Sequence, residues 1–348
     1  MRVDIWPGAA DPEVQRACRQ VVGRAGPGAF RCDPRWLTAL CRGLRYDPYL
    51  LVAKQDGQSV GFLPLALVKS WLFGRFLVSL PYRSSAGVVA ADDQVAAALI
   101  DQAVELADQL DVRYLELRHE HKLAHPALTH QLTSKVHMRL RLPSSAQGLW
   151  DQFTSKVRNK VRKGERQGFT IHWGSLDLLR DFYAVFSRNM RDLGTPVYSR
   201  RLFRAILTQL SDGAELCVVR SGRQPIAAAL LVHGPGVTEV PSASSLRACN
   251  STNANDLMYW QLLQRAIERG QQVFDFGRST MDSSTYVFKK KWGAQPEPAV
   301  WQYYVRKGNV GDMRIENGKY DRLIDVWRRL PVWVTRLIGP AIVRGIPS

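Results

Sequence analysis

The chain has 348 residues, 45% hydrophobic and 9% aromatic, with 48 Lys+Arg against 31 Asp+Glu and a formal net charge of +17. That length suits about two domains of ~100–200 residues, and the apolar content excludes a globally disordered chain. Five cysteines without a C-x-x-C pair exclude a disulfide-stapled framework and a Cys-rich zinc site, while the surplus charge points to nucleic acid, an anionic membrane or a phosphorylated substrate.

The first residues, MRVDIWPGAADPEVQ, carry acids and prolines where a signal peptide needs an apolar stretch. No run approaches the ~20 apolar residues that span a bilayer. The chain therefore reads as a soluble protein of a reducing compartment. Residues 49–69 read as strand, Asp-Gly turn and strand. Residues 94–110 place Val95, Leu99, Ala103, Leu106 and Leu110 at helical spacing and lead into a strand at 112–117. A Pro-Ser-Ser break follows at 143–145, where Ser144 or Ser145 caps a helix that opens the second half.

The design then repeats. Residues 215–233 form a second strand pair around Ser-Gly-Arg-Gln-Pro. Residues 255–270, with Leu257, Trp260, Leu263 and Ile267 on one stripe, read as a helix ending at Gly270, before a strand at 272–277. The offsets are 165 residues at the hairpin and 160 at the helix–strand unit, so two copies of one α/β unit are expected. The boundaries read as 1–143 and 144–305, with a basic amphipathic tail at 306–348.

Two segments carry candidate chemistry. Residues 156–166 hold Lys156, Arg158, Lys160, Arg162, Lys163 and Arg166 against Glu165, a net +5. Phe153, Val157 and Val161 make the buried stripe of that helix, and Arg158 and Arg162 share another face. Arginine's planar fork suits a diphosphate, an RNA backbone or lipid headgroups; a plain solvated basic face is the other reading. Residues 274–293 deliver Asp275, Gly277 and Arg278 to the end of a strand, then a polar turn, then Tyr-Val-Phe-Lys-Lys-Lys-Trp-Gly. Charge and aromatics clustered after a strand end make a substrate site in an α/β protein, or a structural salt bridge beside a basic loop. A lysine there suits an oxyanion, and Asp275 suits a base, an amine-orienting group or a partner of Arg278.

Other motifs fail. Asp-Phe-Gly at 275–277 lacks every accompanying kinase element, and no P-loop or G-x-G-x-x-G is present. His119, His121, His125 and His130 have no metal-ligand spacing, so no metal is expected.

Four segments resemble the FemAB family of aminoacyl- and peptidyltransferases, in the branch associated with exosortase/PEP-CTERM and exopolysaccharide systems. They are FTSKVRNKVRKGERQGF at 153–169, SRNMRDLGTPVYSRRLFRAIL at 187–207, NDLMYWQLLQRAIERGQQVFDFGRST at 255–280 and YVFKKKWGAQPEP at 286–298. The resemblance implies an α/β (α+β) fold of two tandem GNAT-like (acyl-CoA N-acyltransferase fold) domains with mixed central sheets. It implies direct transfer of an aminoacyl or acyl group to an amine on a cell-envelope precursor, phosphorylated or lipid-linked. Lys289 would stabilise the transition state, with Asp275 beside it. Substrate contacts would come from Arg158, Arg162, Tyr198, Arg278, Tyr286, Phe288 and Trp292. The donor would be aminoacyl-tRNA or, secondarily, acyl-CoA. The stretch Arg247–Asn255 before the second-copy helix has no glycine to let backbone amides approach a pyrophosphate. No other cofactor is implied, and the expected place is the cytoplasm, at the inner face of the membrane. The tail joins Trp327, Arg328, Arg329, Leu330, Trp333, Val334, Arg336, Leu337, Ile338 and Ile342. It reads either as an interfacial, peripheral-membrane helix or as a helix packing back on the body.

Overall fold

The computed structural model describes all residues except 9–10, 72, 309–320 and 347–348. The elements begin with β1 (Arg2–Pro7), α1 (Pro12–Arg24), α2 (Pro34–Leu44), β2 (Asp47–Gln55), β3 (Gln58–Ser70), β4 (Gly74–Val78) and β5 (Val89–Ala90). They continue with α3 (Asp93–Gln109), β6 (Tyr114–His119), β7 (His130–Leu132), β8 (Lys135–Arg141), α4 (Ala146–Gln152) and α5 (Ser155–Glu165). Next come β9 (Thr170–Gly174), α6 (Leu179–Leu193), α7 (Arg200–Gln209), β10 (Ala214–Ser221), β11 (Gln224–Gly234), β12 (Val237–Ser245) and α8 (Ala254–Glu268). The last are β13 (Val273–Thr280), α9 (Ser284–Lys290), β14 (Gln295–Pro298), β15 (Val300–Val305), α10 (Asp321–Arg329) and α11 (Val332–Val343).

Two units form. One comprises Met1–Lys135, Pro298–Lys319 and Ala341–Ser348; the other comprises Val136–Glu297 and Tyr320–Pro340. Their sheets run β1-β2-β3-β4-β6-β15-β7, with β5 on β3, and β14-β8-β13-β12-β11-β10-β9. Read from the hairpin outwards, the orders correspond strand for strand. In each, an antiparallel hairpin is followed by a strand that pairs in parallel with the strand after the helix (β4 with β6, β12 with β13). Both are mixed sheets, and the tandem α/β organisation expected from the repeat is present. The chain does not divide at single points, however. Strand 300–305 pairs in the first sheet and strand 135–141 in the second, so each sheet takes one strand from the far side of the expected boundaries.

Local sequence explains the shared parts. Asp56 and Gly57 both take positive φ, which closes β2 and β3 with the twist that a two-residue hairpin favours. In the second hairpin Gly222 supplies the positive φ. Asp92 caps α3 by accepting from the Val95 N–H at 2.8 Å. The apolar stripe of α3 (Val95, Leu99, Ile100, Ala103, Leu106) then packs on Leu51, Leu63, Leu65 and Leu115 of the first sheet. In the second unit α6 and α8 cover β10–β12, with Phe182 and Phe186 of α6 stacked on each other and Phe203 of α7 edge to face against both.

Candidate functional site

The second sheet opens between β12 and β13. Strands β12 and β13 pair in parallel only through Val237↔Val273, Thr238↔Phe274 and Glu239↔Asp275, although β12 runs on to Ser245 and β13 to Thr280. On its other side β12 jumps register against β11: Leu230 faces Ser242 and Val232 faces Glu239, so Val240 and Pro241 oppose Leu231 alone. An extra residue of this kind bends a strand, and Pro241 lacks an amide to donate. The bulge therefore lies where the parallel pair ends, and Phe276–Thr280 continue beyond the last pair.

Within that stretch Gly277 has φ +78°. A Cβ there would meet nothing nearer than Val240 O at 3.8 Å, so the glycine is needed for its backbone angle. Lys289, on α9, reaches this kink. Its Nζ donates to the carbonyls of Gly277 and Arg278, both at 3.0 Å. The lysine is buried, and desolvation pulls its ammonium down to about 8, with Asp275 opposing the shift and Arg278 adding to it. An ammonium has three donors, and two are held by the protein.

Asp275 is 2% exposed. It accepts from Arg139 Nε at 3.0 Å and from the Gly277 N–H at 2.7 Å, and Arg139 also pairs with Glu297 at 2.5 Å. The carboxylate thus steadies the kink and faces Arg139 and Lys289. Two further buried donors belong to the same stretch of chain. Ser279 Oγ and Trp292 Nε1 have no hydrogen-bond partner among the described residues. Buried polar atoms are seldom left so.

Behind Lys289 runs an aromatic chain. Trp150 lies 5.0 Å from Trp260 between ring centres, Phe153 5.7 Å from Trp260 and 5.4 Å from Trp292, and Tyr259 6.2 Å from Trp292. Tyr259 also meets Phe276 at 5.7 Å and the half-buried Phe288 at 4.9 Å. These rings tie α4, the turn between α4 and α5, α8, α9 and β13 into one block. Ser283 caps α9 by accepting from the Tyr286 N–H at 3.3 Å, and Tyr286 is buried with Lys290 over its ring.

The basic residues divide. Arg158 donates to Phe153 O at 2.6 Å and so satisfies the end of α4, while Arg162 is exposed and lies 5.5 Å over the Trp150 ring. Lys291 pairs with Asp256 in the first turn of α8 and stacks 4.1 Å over Phe288. Desolvation lowers its ammonium, with Asp256 opposing the shift and the charges of Lys160 and Lys156 adding to it. Helix α5 packs on α8. Gly164 makes this approach possible: a Cβ there would sit 2.9 Å from Leu257 Cβ and 3.0 Å from Asn253 O. Asn253 itself takes φ +60° and leaves the start of α8 without a side-chain cap, so the left-handed turn exists here without glycine.

Of the residues expected from sequence, Lys289, Asp275, Arg278, Phe288, Tyr286 and Trp292 gather around the end of β13 and α9. Arg158 and Arg162 border them on α5 through the aromatic chain. Tyr198 lies between α6 and α7, where its carbonyl accepts from the Tyr183 hydroxyl at 3.1 Å. Sequence reasoning missed Arg139, Tyr259, Trp150 and Ser279. The ring at 260 had a signal, its place on the apolar stripe of the helix, but it reads equally as core.

Residues 152–290 match the acetyltransferase (GNAT) domain family. No curated protein matches the chain. Among solved structures, FemX superposes with a TM-score of 0.65 at 16% identity, covering 86% of this chain and 97% of that one. The L-PGS of Bacillus licheniformis gives a TM-score of 0.58 at 15% identity, covering 95% and 98%. A tandem GNAT protein from the clavulanic acid biosynthesis pathway gives 0.56 at 12% identity, covering 88% and 100%. The fold is thus that of tandem GNAT proteins, and the second unit is an acyltransferase domain.

Proposed function

We propose that the second unit transfers an aminoacyl or acyl group from an activated ester or thioester to an amine on a phosphate-bearing envelope or exopolysaccharide precursor. One observation carries the reading. A desolvated ammonium, Lys289, is anchored on two backbone carbonyls where β13 leaves its parallel partner, with one donor to spare. The amine lone pair attacks the donor's carbonyl carbon, the C=O electrons move onto oxygen, and Lys289 meets that oxyanion by hydrogen bond and charge. Collapse expels the donor's ribose oxygen or thiolate, and the nucleophile's proton passes to the leaving group or solvent. Asp275, fixed by Arg139, holds the kink that sets the lysine's height and is best placed as a positioning residue. The basic residues of α5, Lys156, Arg158, Lys160 and Arg162, supply the cationic face for a phosphate. Charge-assisted contacts of this kind orient the acceptor without taking part in bond making. The FemAB resemblance favours aminoacyl-tRNA as donor, and the absence of glycine from the stretch before α8 keeps acyl-CoA second.

The test pairs donors with a lysine variant. Purified full chain is incubated with labelled aminoacyl-tRNA or labelled acyl-CoA and extracted lipid- or nucleotide-linked precursors, and products are weighed by mass spectrometry. Transfer is expected from aminoacyl-tRNA, and Lys289→Ala is expected to lower kcat by roughly 10²–10³-fold with a smaller change in KM. Near-normal kcat in the variant overturns the assignment of Lys289. Transfer from acyl-CoA alone overturns the donor, and binding without transfer leaves an anionic glycan- or lipid-binding module.

A further inference from the structure

Helix α11 is apolar on both sides of its axis. One side docks on the second unit: Thr335 is buried, and a Cβ at Gly339 would lie 2.9 Å from both Val197 Cγ1 and the Val197 backbone nitrogen. Arg336 fastens this contact, donating from Nε to Ser187 Oγ at 2.8 Å. The other side bears Trp333 at 69% exposure and Leu337 at 73%, with Ile338 and Ile342 also exposed. Trp333 and Leu337 stand one turn apart, as do Ile338 and Ile342; Leu337 and Ile338 are about 100° apart, so the first pair forms the outermost stripe and the second its edge, within the outward half of the helix. Docking of the helix requires only its small-residue side, and the outward side is unexplained by it.

Charge says what that face fits. Helix α11 has no acidic residue, and exposed Arg329 and Arg344 stand just before and just after it. Helix α10 adds exposed Leu323 and Val326 beside Arg328 and Arg329. A second, separate feature repeats the chemistry within the first unit. Tyr46 donates to Arg344 O at 2.9 Å, and a Cβ at Gly345 would lie 3.0 Å from Ser70 Oγ. The residue after Ser70, Trp71, is 101% exposed between exposed Lys69 and Arg75. Tryptophan and aliphatics facing outward, rimmed by arginine and lysine, match the boundary between acyl chains and anionic headgroups. At 12 residues α11 is about 18 Å long, short of the ~30 Å hydrocarbon core. No helix among the described residues is long and apolar enough to cross a membrane, so such a helix lies in the interface plane.

We propose that the outward half of α11 rests on an anionic lipid bilayer, with Trp333 and Leu337 entering the headgroup–acyl boundary, Ile338 and Ile342 at the edge of the contact and the flanking arginines meeting lipid phosphates. This contact is separate from the transfer chemistry, because none of these residues belongs to the Lys289 site. The experiment is flotation of the full chain with vesicles of phosphatidylglycerol and phosphatidylcholine, against pure phosphatidylcholine. The wild-type chain is expected to float with the anionic vesicles. Trp333→Glu/Leu337→Glu is expected to partition at least about tenfold more weakly. Arg329→Glu/Arg344→Glu is expected to lose the preference for phosphatidylglycerol. All of these side chains are exposed, so circular dichroism and thermal unfolding should match wild type. Absence of flotation, or equal flotation of wild type and the Trp333/Leu337 variant, overturns the proposal. So does a wild-type dimer in sedimentation velocity that the same variant dissociates, since the face would then meet a second copy.

Discussion

Burial of Lys289 makes a prediction that does not depend on knowing the substrate. Its ammonium titrates at about 8 in the folded chain, against the usual 10.5, because desolvation outweighs the attraction of Asp275. Between those values the unfolded chain holds the extra proton, so stability contributed by this residue rises with pH across the window. Below about pH 8 both states are protonated, and the cost of burying the charge is present in full. Raising pH from about 7 to about 9.5 should recover about 2 kcal/mol of that cost. Lys289→Met fills the same space and cannot titrate. Urea unfolding of wild type and variant at both pH values gives a double difference in which all other titrations cancel. A double difference near zero would mean that Lys289 ionises as it does in water, and the desolvated-donor argument would fail. Activity gives the same window a second reading. Rising pH frees more of the nucleophilic amine, yet transfer should fall above about pH 8 as Lys289 loses its proton.

The scaffold around the lysine is open to three further tests. Gly277→Ala places a Cβ on a residue at φ +78°, so it should cost ~1–2 kcal/mol in stability and lower kcat more than it raises KM, because the carbonyls that hold Lys289 turn with the backbone. Arg139→Met strips the 3.0 Å ion-pair partner from a carboxylate that is almost fully buried; a loss of ~3 kcal/mol in chemical denaturation is expected, largely restored in Arg139→Met/Asp275→Asn. Gly164→Val drives a branched side chain into Leu257 Cβ at 2.9 Å and Asn253 O at 3.0 Å. It should cost ~1–3 kcal/mol and raise KM for the anionic acceptor by spreading α5 from α8, and an unchanged melting temperature would contradict the close packing.

How much of this was legible in the sequence depends on which physical force places each part. The hairpins and the helix–strand units were readable because their determinants are local: period-two apolar strands, Asp56-Gly57 at a turn that wants positive φ, an Asp cap on α3. The motif around Lys289 was readable because lysine, aromatics and a strand-end glycine fall within one stretch of chain. The destination of strands 135–141 and 300–305 was not readable. Each follows a short connection (β7 to β8, β14 to β15) whose first strand stays in one sheet while its second joins the other. Because the two sheets have the same strand order, each offers the same neighbour position beside its post-helix strand, β6 or β13. A repeat in sequence cannot tell which of two equivalent positions a strand takes. That ambiguity reaches the site itself. Arg139, the partner of Asp275, sits on β8, before the point at which the second copy opens in sequence. Asp275 in turn fixes the Gly277 amide at 2.7 Å, and Gly277 supplies one of the two carbonyls that hold Lys289. The chain of contacts from Arg139 to Lys289 is therefore continuous, and it cannot be assembled from residues 144–305 alone. The repeat supplies the shape of the site, and the exchanged strand supplies the charge that steadies it.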